Sequence, residues 1–495
     1  MRAIIGFLVF LAVPAAAAPM LAPAQPDAWW DNGRAALAGR MAVVNRPKRA
    51  RNVVLMIGDG MGISTITAAR IFDGQNPGNG QPRRSGEENS LAFERLPNLA
   101  LVKTYNTNAQ VPDSAGTASA MNTGVKTDIG VINYFAGQPA DACRTPAKLP
   151  RTLAEIAKAD GMAVGVVTNT RITHATPAAV YGHAFSRNWE GADRAYPSAT
   201  ATATGCPDLA KQLVDFGGAA SKGIDVALGG GLARFRPIAA GGTRDDGLDL
   251  VARWQARNSK GQFVGDAAGF RSLRPGGPVL GLFTPDHMAF EADRDAANEP
   301  SLTEMAVVAI DRLKSASPRG YYLMVEGGRI DHAHHASNPY RALSDAQQFA
   351  RAVAAVLAAV DLDETLVLVT ADHSHTLSMA GYPERGNDIL GYIKSARGGE
   401  GSDRVSKEGW ALDDRGQPMT TLTYANGSFI TPGLSRLLPP TDKNYLAMKT
   451  YGTDSEAHGG EDVALFADGP RADLVGCVIE QNVIFHIIAE ALGWR

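Results

Sequence analysis

A chain of 495 residues with 45% hydrophobic and 20% charged side chains has ample apolar material for a core, which excludes an intrinsically disordered protein. Its 48 basic and 51 acidic residues leave a net charge of −3, so no basic excess points to a nucleic-acid partner. Three cysteines exclude the usual four-thiolate metal cluster, and with only ten histidines present, their placement is informative.

Residues 1–18, MRAIIGFLVFLAVPAAAA, combine a positive Arg2, an apolar run from Ala3 to Val13 and small residues ending near Ala18. The run is short for a bilayer, which needs about 20 apolar residues, so it reads as a cleaved secretory signal. No later stretch reads as a spanning helix or a lipid-anchor signal. The expectation is an exported chain, periplasmic or secreted, without a membrane anchor. Asp27 to Met41 reads as a separate helix whose Trp29, Trp30 and Leu37 could meet either a second subunit or the chain's own core. Export permits disulfides. Cys143 and Cys206 flank a region of loops and one strand, whereas Cys477, in the apolar stretch Leu474 to Ile479, reads as a buried thiol. An odd count leaves at least one cysteine unpaired.

Buried strands are expected at Val53–Ile57, Met162–Val167, Ile224–Leu228, Tyr322–Val325, Leu366–Val369 and Val463–Phe466. Helical patterns run over Thr152–Ala159, Ser301–Leu313 and Ser344–Val360. This alternation predicts an α/β fold with a central, largely parallel sheet flanked by helices on both faces. From about 377 to 453 the chain is rich in Gly, Ser, Pro and Asp and is too long for a bare loop, so it reads as a subdomain inserted into one domain spanning 19–495.

In open α/β sheets ligands bind beyond the carboxyl ends of strands, and the acidic and histidine residues fall there. Asp59 stands between two glycines after the first strand. Glu326 ends another and is followed by Asp331, His332, His334 and His335. A helix from Ile330 would put Asp331 and His335 one turn apart on one face, a spacing that suits one metal. Asp372 and His373 follow a further strand, with His375 two residues on, and His458 precedes a Gly-Gly turn. Singly, Asp59 could be a turn residue and His458 structural. Together these places hold six of the ten histidines with nitrogen and oxygen donors only, which suits catalytic zinc. Two zinc ions would suit phosphoryl transfer. Asp113 reads as the N-cap of a helix that Ser114 starts and Gly124 ends; a serine there is either part of an ordinary cap or a nucleophile beside free N–H groups.

With GDGMG, PDSAGTA, THATPAA with HAFSR, VEGGRIDHAHH, TADHSH and EAHGGEDVALFADGP in order, the chain from about Asp27 onward resembles the alkaline phosphatases, which are metal-dependent phosphomonoesterases. GGRIDHAHH and the stretch with GYPERG are more similar to the animal members. The resemblance implies hydrolysis of small-molecule phosphate monoesters, with Ser114 as the nucleophile that becomes phosphoserine. It implies two zinc ions, one on Asp331, His335 and His458 and one on Asp59, Asp372 and His373. It implies one magnesium ion on Asp59, Thr176 and Glu326, with His174, His332, His334 and His375 acting from behind the ligands. Arg187 would grip phosphate with its guanidinium fork, and Asp113 would act from behind the site residues. A Cys143–Cys206 bridge, a crown-like inserted subdomain and a homodimer are also implied. Animal members bind calcium; here Glu299 could match one ligand, but Thr284 stands where an acid is expected. The competing expectations are a phosphodiesterase or sulfatase of the same superfamily, or a catalytically silent phosphate- or metal-binding protein. Arg187 and the context of Ser114 favour the monoesterase.

Overall fold

A computed structural model describes residues 46–495 except 79–80, 194–203, 219–222, 395–403, 429–437 and 495. The expected signal at 1–18 and the helix at Asp27 to Met41 lie outside the described residues. In chain order the strands are β1 (Asn52–Gly58), β2 (Asn98–Lys103), β3 (Ala163–Arg171), β4 (Val226–Gly230), β5 (Gln262–Val264), β6 (Val279–Leu282), β7 (Tyr321–Gly327), β8 (Thr365–Thr370), β9 (Ser374–His375), β10 (Leu377–Met379), β11 (Leu422–Gly427), β12 (Lys449–Gly452), β13 (His458–Gly459), β14 (Val463–Asp468) and β15 (Val478–Glu480).

Ten of these form one sheet in the order β15-β2-β14-β8-β1-β7-β3-β4-β6-β5. Every neighbouring pair is parallel except the two that β14 makes with β8 and β2, so β14 alone runs against the rest. The central strands β1, β7 and β8 are buried at every residue. A strand covered on both faces has no reason to alternate polar and apolar residues, which is why these read as unbroken apolar runs.

The flanking helices form two layers. Ile63–Gln75, Leu302–Ala316 and Pro339–Ala359 pack together on one face; Ser114–Thr123, Leu153–Ala159 and Ala175–Tyr181 pack on the other. Their starts follow from capping chemistry. Thr152 and Glu155, and likewise Ser301 and Glu304, satisfy each other's backbone N–H groups in capping boxes. The helix expected from Ser344 begins earlier, because Asn338 caps it and Pro339 suits its first turn.

Within 377–453 the described residues form a separate three-stranded sheet, β10-β11-β12, while β9 pairs with β13. Cys143 and Cys206 are joined by a disulfide, with Cα atoms 5.8 Å apart. Cys477 corrects its expectation: it is an exposed free thiol. It sits just before the outermost strand β15, where Leu474 and Val478 are exposed as well. An apolar stretch at a sheet's edge need not be a buried one.

Candidate active site

Strands β8, β1, β7 and β3 are parallel neighbours, so the residues at their carboxyl ends share one rim. Asp59 follows β1, Glu326 lies near the end of β7, Asp372 and His373 follow β8, and His174 and Thr176 follow β3. Because β14 is reversed, His458, which precedes it, reaches the same rim. Gly60 has φ 68°, and a Cβ there would collide with the His375 ring, so the turn after β1 requires glycine. Its N–H donates to Asp372 Oδ1 at 3.0 Å.

Three groups of potential metal-ligating atoms result, each within 4.8 Å: Asp331, His335, His375 and His458; Asp59, Asp331 and His373; and Asp59, His174 and Glu326. Asp331 and His335 come from the helix Arg329–His335, where they lie one turn apart. Asp331 Oδ1 is 3.4 Å from His335 Nε2 and 3.4 Å from His458 Nε2. The two Nε2 atoms are 3.1 Å apart. His335 Nδ1–H donates to the Glu456 carbonyl at 2.5 Å, His458 Nδ1–H to the Pro112 carbonyl at 2.8 Å, and His373 Nδ1–H to the Ser374 carbonyl at 3.1 Å. A carbonyl only accepts, so each neutral ring turns a bare Nε2 inward. Two bare nitrogens cannot bond each other; a cation between them satisfies both.

His373 Nε2 is surrounded by oxygens: Ser114 Oγ at 3.1 Å, Asp59 Oδ1 at 3.4 Å and Asp372 Oδ2 at 3.4 Å. In the third group, Thr176 Oγ1 lies 3.4 Å from Asp59 Oδ2. Glu326 Oε2 accepts from the hydroxyls of Thr168 and Thr170. Glu326 Oε1 and His174 Nδ1 are buried without a hydrogen-bond partner. Ser114 opens the helix Ser114–Thr123, which Asp113 caps by accepting from Gly116 N at 3.1 Å. Asp113 Oδ2 also holds Arg187 Nη1 at 3.0 Å, and His174 Nε2 lies 3.1 Å from Arg187 Nη2.

Comparison with known proteins decides the family. The alkaline phosphatase family model matches residues 50–494. The chain belongs to the alkaline phosphatase family. It is 41% identical over 464 residues to the tissue-nonspecific alkaline phosphatase of Gallus gallus, covering 89% of this chain and 84% of that one. To the tissue-nonspecific isozyme of Homo sapiens it is 39% identical over 467 residues, covering 89% and 83%. The solved structure of the Thermus thermophilus alkaline phosphatase superposes with a TM-score of 0.64 at 25% identity, covering 91% and 93%. The chain is accordingly a phosphoric monoester hydrolase of a metal-dependent family.

The phosphatase site is electrostatically suited to cations. Asp59 is pushed well above the ordinary carboxylate range by burial and then by the charges of Asp372, Asp331 and Glu326. Burial likewise raises Glu326 to about 7, with Asp372 adding to the rise. For Asp331 burial also acts upward, but His335, His375 and His458 outweigh it and hold the group well below its usual value. His335 and His373 are depressed, chiefly by burial. His375 differs from the other imidazoles. Its Nε2 is spent on Asp331 Oδ1 at 2.7 Å and its Nδ1 on Glu456 Oε2 at 2.6 Å. Burial alone would lower it, but these two carboxylates raise it to about 10. Both of its ring nitrogens are thus engaged by carboxylates of the chain itself.

His334 enters none of the three groups. Its ring spans from Thr65 Oγ1 at 3.0 Å to the Tyr424 hydroxyl at 2.7 Å, tying the first helix to β11. His332 meets Arg329 Nη1 at 2.7 Å and packs against the rings of His174 and His287. Sequence reasoning missed His287, Glu456, Thr168 and Thr170. For His287 a signal existed: it lies in the loop after β6, and loops that follow strands also carry Asp59, Asp372 and His373.

Proposed function

We propose that this alkaline phosphatase hydrolyses phosphate monoesters through a covalent phosphoserine on Ser114, with two zinc ions and one magnesium ion as cofactors. The observation that carries this reading is a set of distances. Four ligands about 2.0 Å from a zinc ion stand at tetrahedral corners about 3.3 Å apart. Asp331, His335 and His458 have mutual distances of 3.4, 3.4 and 3.1 Å. Around His373 Nε2, the distances to Asp59, Asp372 and Ser114 are 3.4, 3.4 and 3.1 Å. The first three residues would hold one zinc, and Asp59, Asp372 and His373 the other, beside Ser114. Asp59, Thr176 and Glu326 offer oxygens, as magnesium prefers, with His174 and His332 behind them. Bound ions would supply positive charge to the reacting phosphoryl group and activate oxygen nucleophiles.

The chain's own residues then divide the work. Arg187, steadied by Asp113 and His174, binds two phosphate oxygens with its fork. Ser114 Oγ forms a bond to phosphorus as the bond to the ester oxygen breaks, releasing the alcohol. Water then cleaves the phosphoserine, restoring Ser114 and releasing inorganic phosphate. Charge positioned in advance carries most of such a reaction.

Export is proposed from the signal-like residues 1–18, and the Cys143–Cys206 bridge supports it. Among the described residues no helix is long and apolar enough to cross a membrane. A homodimer and an inserted subdomain at about 377–453 of a catalytic domain spanning 19–495 complete the proposal. The test compares hydrolysis of a phosphomonoester, a phosphodiester and a sulfate ester, with metal analysis of the same sample before and after EDTA. Monoester preference, loss with EDTA and return with zinc plus magnesium are expected. Preference for the diester or sulfate, or chelator-resistant activity, would overturn it.

A further inference from the structure

We infer that Glu456 is a positioning residue for the metal group Asp331, His335 and His458, acting through His375 and His335. The inference rests on the proposal that this group holds zinc. Glu456 contributes no ligand atom to any of the three groups among the described residues. Yet its side chain is wholly buried, a costly place for a carboxylate that does nothing.

Each of its polar atoms has a partner. Oε1 accepts from Thr376 N at 2.8 Å and from Thr376 Oγ1 at 2.6 Å, which anchors the carboxylate to the strand segment after β9. Oε2 faces His375 Nδ1 at 2.6 Å. The His375 ring is thereby set so that Nε2 reaches Asp331 Oδ1 at 2.7 Å, the same oxygen that stands 3.4 Å from both His335 and His458. That bond fixes the rotation of the Asp331 carboxylate. The Glu456 main chain works on the other side of the group. Its carbonyl takes the Nδ1–H of His335, and its N–H donates to the His335 carbonyl at 3.1 Å. The carbonyl contact sets the tautomer that leaves His335 Nε2 bare. One residue thus orients two ligands, one through its side chain and one through its backbone, two positions before His458. Hydrogen-bonded partners behind metal ligands typically account for 10–100-fold in metal affinity.

The experiment measures zinc affinity of the metal-free full chain by competition with a chromophoric chelator, alongside thermal melting without metal. Glu456→Ala is expected to weaken one zinc equivalent about 10–100-fold. Glu456→Gln is expected to restore affinity, because its amide oxygen can accept both Thr376 bonds while its N–H donates to His375 Nδ1. Thr376→Val, which removes a single anchor of the carboxylate, is expected to lower affinity about threefold and serves should Glu456→Ala not fold. Wild-type affinity in Glu456→Ala or in Thr376→Val overturns the inference. Equal losses in the Ala and Gln variants would assign the effect to charge and overturn it too. A wild-type chain that takes up no zinc would instead remove the metal reading on which the inference rests.

Discussion

Asp113 joins the stability of a helix to the phosphate grip proposed for Arg187, and two substitutions separate these jobs. Its Oδ1 accepts from Gly116 N and from Asn106 Nδ2, both at 3.1 Å, while Oδ2 holds Arg187 Nη1 at 3.0 Å. Asp113→Asn keeps an oxygen for the first two bonds, and asparagine caps a helix about as well as aspartate. It presents an amide N–H to Arg187, donor against donor. A hydrogen bond to a charged group contributes about 1.5–3 kcal/mol. The two side chains are 24% and 11% exposed, and His174 still touches the guanidinium, so the lower end applies. About 1.5 kcal/mol corresponds to roughly a tenfold loss in phosphate affinity. Asp113→Ala should show the same tenfold loss and, in addition, lose about 1 kcal/mol of stability with the cap. The assay is competitive inhibition by inorganic phosphate, paired with thermal melting. Unchanged phosphate inhibition in Asp113→Asn, or equal melting shifts in both variants, would refute the division of labour.

Other substitutions probe separate parts of the molecule. Ser114→Ala should leave metal content intact and lower monoester hydrolysis by orders of magnitude; a variant that still incorporates phosphate covalently from a labelled ester would remove Ser114 as nucleophile. Tyr424→Phe strips His334 Nδ1 of its 2.7 Å partner and should cost about 1–3 kcal/mol of stability with KM unchanged, measured by melting and steady-state kinetics. Replacing Cys143 and Cys206 by serine opens a bridge across 63 residues and should cost at most about 4 kcal/mol, read from denaturant unfolding; no loss would mean that the unfolded chain gains little freedom there.

Much of the fold and of the candidate site is legible in the sequence, for identifiable reasons. Central strands covered on both faces leave unbroken apolar runs, and ligands gather where parallel strands end. Asp59, Glu326, Asp372 and His373 obey both rules. β2, second from the end of the sheet, obeys neither: it exposes Leu99 and Leu101 while burying Ala100 and Val102, so its pattern is mixed. Within the helix Arg329–His335, the 3.6-residue period puts His334 about 100° from His335, which is why neighbours in sequence serve different partners. Glu456 was illegible because nothing local distinguishes it from the other acids of TDSEAHGGED. Its meaning comes from Thr376, His375 and His335, brought to it by the fold.

The reversed strand β14 also governs when the molecule can be finished. β2 pairs only with β14 and β15 in the main sheet, so a strand made early in synthesis has no partner until nearly the whole chain exists. Until then its edge is open, the condition in which strands join the wrong neighbour. His458 arrives in the same late segment. Pairing over such separations is slow, and any fragment ending before Val463 lacks the strand that seats it. Metal capture by the proposed group Asp331, His335 and His458 would therefore be a closing event of folding, one that reports a completed sheet.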